Sequence, residues 1–167
     1  MRGVGQESEP SSARRSFTAE DVADAFQRAT GDQLRIDTYP ATVSGDQDAA
    51  RLGFDGPVPV AGGRVRNQPA PPQLLAKYGT FSIFVTRDPK KAKLSSFRSP
   101  DEAGRFWVKG VPERGASAGR TVWSVHKIYG ANVRLSWSSD DEGRTLDERW
   151  HRLDNALSQL DEQSEGG

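Results

Sequence analysis

Near the end of the chain, Leu146, Trp150, Leu153, Leu157 and Leu160 recur at steps of four, three, four and three. That spacing places all five along one side of an α-helix, while Asp147, Arg149, Arg152, Asp154 and Asn155 fall on the opposite face. A helix with one apolar stripe must bury it against a second layer. Thr145 stands as an N-cap, and Glu148 three residues on supplies the acid of a capping box. The rest of the chain has to provide the surface on which this helix lies.

A second amphipathic helix is read over 19–30. Thr18 caps it, Asp21 is the capping-box acid, Phe17 and Val22 form a hydrophobic staple, and Gly31 ends it. Strand patterns follow. Leu34 and Ile36 alternate with charged residues over 33–38, and Tyr39-Pro40 closes that run. Thr80 to Thr86 is the most strand-like stretch, with Phe81, Ile83 and Val85 on one side and Phe84 on the other, which suits a central position. Phe106-Trp107-Val108 reads as a brief strand. Residues 121–137 read as a hairpin whose turn, Tyr129-Gly130-Ala131-Asn132, has glycine in the first central place.

Short helices are expected after Pro72, ending at Gly79, and from Asp88-Pro89 to Leu94. Residues 41–54 are ambiguous, with Asp48 to Phe54 compatible with a short helix. Residues 55–72, with five prolines and two adjacent glycines, read as a long irregular loop. Residues 110–120 and 138–144 read as polar loops. The fold class is therefore α+β: an antiparallel sheet of four or five strands with two amphipathic helices packed on one face. Residues 1–16 read as a disordered arm, 17–160 as one domain, and 161–167 as a disordered tail.

Composition narrows the functional classes. Leu, Ile, Val and Phe together make only 32 of 167 residues, so the core is lean and the uneven placement of those residues matters. Lys+Arg and Asp+Glu both number 23, giving zero net charge, without the basic balance of a nucleic-acid binder. No run approaches the 18 apolar residues of a membrane span, and Met1 to Gly5 has no apolar stretch of a signal peptide. The absence of cysteine removes disulfides, thiolate metal sites and a cysteine nucleophile. No phosphate-binding, dinucleotide or zinc-hydrolase motif occurs, so neither a cofactor nor a metal is expected. Ser124 and Lys127 match a Ser-x-x-Lys spacing, but on a strand they point to opposite faces. Arg87, Lys90, Lys91 and Lys93 read as a solvated basic face. The acids at Asp46, Asp48 and Asp140 to Glu142 lack the alternating ligands of a calcium loop.

Two sets of residues remain. The two histidines, His126 and His151, together with Asp154, are the residues an acid–base site would use, His151 and Asp154 being three apart on one helix. Among four tryptophans, Trp137 and Trp150 fall at core positions. Trp107 and Trp123 either line the sheet face without helices, as a ligand or partner surface, or pack under residues 55–72.

Two stretches resemble segments of small actinobacterial exported or lipoprotein-type α+β domains of unknown function. They are Lys77 to Val85, and Leu146-Asp147-Glu148-Arg149-Trp150-His151-Arg152-Leu153. Residues 6–16 resemble the polar spacer that precedes such domains. The resemblance covers about residues 17–160, rests on structural motifs and implies no catalytic residue. It implies an extracytoplasmic location, with a tether through residues upstream of Met1; the sequence as it stands has no lipobox cysteine, which would fit a cytoplasmic protein. The leading expectation is a non-enzymatic binding domain for a protein or small ligand, carried by the aromatic sheet face and residues 55–72. The alternatives are a hydrolase assembled from distant segments and a structural module of an envelope complex.

Overall fold

A computed structural model describes residues 14–38, 48–86, 101–110, 119, 122–138 and 144–166. Along the chain the elements are α1 (Ala19–Thr30), β1 (Arg35–Thr38), β2 (Asp48–Gly53), β3 (Gly56–Val60), β4 (Arg64–Gln68), α2 (Pro72–Tyr78), β5 (Thr80–Thr86), β6 (Phe106–Gly110), β7 (Val122–Tyr129), β8 (Val133–Ser138) and α3 (Glu148–Gly166). The expected helix over 88–94, the basic residues 87–93, most of the loop 110–120, the loop 139–143 and residues 1–13 lie outside the described residues.

The α+β class and the antiparallel sheet are as the sequence predicts, but the counts are larger. Among the described residues six strands pair in the order β1-β2-β5-β8-β7-β6, β3 and β4 form a separate ribbon, and there are three α-helices. Every pairing is antiparallel. Register places Leu52, Ile83 and Leu135 in one row, and Phe81, Trp137, Val125 and Trp107 in the next. These rows share one face, and α1 and α3 pack upon it, with Val22, Phe26, Trp150, Leu153, Leu157 and Leu160 all within 1% of complete burial. Each such leucine contributes about 2 kcal/mol of apolar burial. Trp137 meets Trp150 edge to face at 6.0 Å, and its indole N–H donates to the Tyr78 carbonyl at 3.0 Å. Gly79, at φ 75°, makes that approach possible: a Cβ there would lie 2.9 Å from the Trp137 Nε1.

α1 forms as its sequence dictates. Thr18 accepts from the Asp21 N–H, Asp21 accepts from the Thr18 N–H, and Gly31 closes the helix at φ 84°. α2 likewise runs from Pro72 to Tyr78, with Gly79 as its C-cap. Four readings change. Residues 48–53 are a strand, because the backbone between β1 and β5 is taken up by two ladders, and pairing outweighs the helix propensity of Ala49-Ala50. The irregular loop over 55–72 contains the β3–β4 ribbon. Pro57 and Pro59 stand two apart, so both ring nitrogens turn to the unpaired edge of β3 while Gly56, Val58 and Val60 bond to β4. The cap of α3 is Asp147 rather than Thr145, since Asp147 accepts from the Arg149 N–H at 2.9 Å. The segment expected as a disordered tail continues α3 to Gly166, and Asp161 accepts from the Gly130 N–H at 2.7 Å.

The β7–β8 turn spans three residues, Gly130 to Asn132, because Tyr129 pairs with Val133. A Cβ on Gly130 would lie 2.5 Å from the Phe17 ring, so only glycine fits. Asn132, 4% exposed, accepts from the Phe17 N–H and donates to the carbonyls of Phe17 and Thr86. Arg14 and Arg15 bond the same turn through the Gly130 carbonyl and the Ala131 N–H, so the end of the expected arm is attached. No described helix is long and apolar enough to cross a membrane.

Candidate functional site

Trp107 lies on β6 and Trp123 on β7, and strand alternation puts both on the face that carries the helices, in line with Val125 and Trp137. Neither sequence alternative holds: the pair is not on the face opposite the helices, nor under residues 55–72. The ribbon β3–β4 is joined to the other end of the sheet, where the Arg35 guanidinium donates to the Pro57 carbonyl and Gly56 abuts Asp37. The aromatic surface and the 55–72 segment are thus separate regions.

The two indoles meet edge to face at 6.4 Å, and both are partly exposed. The Arg144 guanidinium lies 4.2 Å from the Trp123 ring centre and 5.9 Å from that of Trp107. Below them Asp101 orders the approach to β6. It accepts from the Trp107 indole, the Arg105 guanidinium, and the backbone N–H groups of Ala103 and Arg105. Burial alone would push this carboxyl up; the hydrogen bonds from Arg105, Trp107 and Ala103 outweigh it and hold it down at about 2. Lys109 is exposed on the same face, directly opposite Trp123 in the ladder. Neither Lys109 nor Arg144 has an ion-pair partner among the described residues. The result is a braced aromatic surface with two exposed cations.

The residues an acid–base site would need are dispersed. His126 points to the sheet face away from the helices, paired in register with Phe106 and Ser136, with Nδ1 3.3 Å from an Arg134 nitrogen. It is 8% exposed, and burial, reinforced by the Arg134 charge, lowers its pKa to about 4. Asp154 lies on the other side of the sheet. Its Oδ1 accepts from the Lys127 ammonium at 2.8 Å and the Tyr129 hydroxyl at 2.7 Å, tying α3 to β7. Burial pushes the Tyr129 hydroxyl pKa up, and the Asp154 charge adds to that. His151 is exposed on α3 and makes no side-chain hydrogen bond among the described residues. The sheet separates His126 from Asp154, so the three do not form one site. Among the described residues no cluster of three or more His, Asp or Glu could hold a metal ion.

Sequence reasoning missed a cleft of about 380 Å³ between α1, α2 and α3, of mixed polar and apolar lining that includes Thr30, Lys77, Tyr78, Arg152, Ala156 and Gln159. Lys77 is paired with Asp32 at 2.7 Å, and the Tyr78 hydroxyl donates to the same carboxylate, which holds the Asp32 pKa below the ordinary carboxylate range. Arg152 donates to the Lys77 carbonyl and to Glu148. These charges balance one another, so the cleft adds no unpaired ion. Arg144 and Lys109 were also missed, because their link to the tryptophans arises only from the fold. No protein-family model, curated protein or solved structure matches this chain.

Proposed function

We propose that the protein is a non-enzymatic binding domain and that the Trp107–Trp123 pair, with Arg144 stacked on it, is its recognition surface. One observation carries this reading. Two tryptophans that could have been covered, as Trp137 and Trp150 are, instead stand partly exposed at the end of the sheet, in edge-to-face contact and with Trp107 braced by Asp101. Tryptophan and arginine dominate the energetics of protein interfaces, and a rigid aromatic pair loses little entropy on binding. Placement outside the cytoplasm rests on the likeness of residues 6–16 to a polar spacer.

The test is to select ligands from a displayed peptide library on the whole chain and compare them on the Trp107→Ala/Trp123→Ala variant, its fold checked by circular dichroism. Affinity should fall by about tenfold or more, as for a central aromatic contact. Ligands that bind both proteins equally would refute the assignment.

A further inference from the structure

Among the described residues, the Trp107–Trp123 surface ends at the unpaired edge of β6. β6 is the last strand of the six, and Trp107 to Gly110 pair with β7 on one side only among the described residues. Such an edge offers backbone N–H and C=O groups to an incoming strand. A strand added there would place every second side chain beside Trp107 and Lys109, the two β6 residues on the tryptophan face. Side chains directly opposite across a strand pair interact, and like charges in that position repel. Lys109, exposed and without an anionic partner among the described residues, therefore selects against a basic residue. Self-pairing of two β6 edges about Lys109 would also set like charges together, which argues against a second copy of this chain as the occupant.

Resting on the binding reading above, we propose that the partner is an extended acidic segment of another protein. It adds to β6 as a seventh strand, with an apolar residue against Trp107 and a carboxylate two residues along against Lys109. Arg144, exposed above the tryptophans, adds a second positive charge to the same face.

The experiment uses the whole chain and a fluorescein-labelled, end-capped peptide of repeated Val-Thr-Glu-Thr, which sets valine and glutamate alternately along one face, read by fluorescence anisotropy at low salt. Saturable binding is expected, weakened about fivefold by Lys109→Glu and regained by that variant when lysine replaces glutamate in the peptide. Methylating alternate backbone nitrogens of the peptide, on the edge that faces β6, should abolish binding. The proposal is overturned if the methylated peptide binds as well as its parent, if the lysine peptide binds the wild-type chain as well as the glutamate one, or if neither peptide binds. Library-selected ligands that need Trp107 and Trp123 but do not compete with the acidic peptide would overturn the strand addition alone. Peptide binding that survives loss of both tryptophans would overturn the aromatic surface itself.

Discussion

The molecule holds two tryptophan pairs of nearly the same geometry. Trp137 and Trp150 meet at 6.0 Å and 61°, Trp107 and Trp123 at 6.4 Å and 78°. Each has an arginine over one of its rings, Arg149 on Trp137 and Arg144 on Trp123. Trp107 and Trp137 even stand in one row across the sheet, with Val125 between them. The difference is the covering layer. The first pair joins a strand to α3 and is 1% exposed at both residues; the second joins two strands at the end of the sheet and stays partly exposed. The same contact is thus buried in one place and partly exposed in the other, and coverage by α3 decides which.

The sharpest way to break this comparison is truncation. Trp137→Ala should cost about 4 kcal/mol in urea unfolding, the scale of a large aromatic lost from a packed core. A loss below about 1 kcal/mol would mean that the buried pair is not a core element. The opposite sheet face gives the next largest effect. His126 keeps its neutral form in the fold, so its contribution is complete above pH 6.5 and drains away as pH falls toward 4. That amounts to at most about 3 kcal/mol, and His126→Gln should remove that part of the acid slope in stability measured from pH 7 to 4. An unchanged slope would show that this face is as wet as the Trp107 edge. Asn132→Ala should cost about 2 kcal/mol, because three buried backbone groups lose their partner. Amide exchange should then quicken first at Phe17 and the start of α1; uniform acceleration would contradict the local role. Smallest is Trp123→Ala, about 1 kcal/mol in the same unfolding assay despite the size of the side chain, since partial exposure leaves less to lose. A cost near that of Trp137→Ala would erase the distinction between the pairs.

What could be read from residues alone follows from the range of the forces involved. α1, α2 and β5 were legible because caps, glycine stops and alternation act within a few residues. β2 was not, because Asp48 to Gly53 becomes a strand only through neighbours on both sides. The β3–β4 ribbon was hidden by Pro57 and Pro59, which read as loop until a partner strand tells which nitrogens need donors. At the candidate site the two tryptophans stand out by residue type. Their shared face, the brace from Asp101 and the stacking of Arg144 depend on elements that meet only in the fold.

The bond between Phe17 and Asn132 spans 115 residues. A ribosome adds about 5–20 residues per second, so about 6–23 seconds pass between the emergence of α1 and that of the asparagine that seats it. Through that interval Phe17, Val22 and Phe26 have neither the turn nor α3 to cover them. The helix that is easiest to read in the sequence is thus among the last to be secured, and the nascent chain spends the interval with its apolar side open to whatever else is nearby.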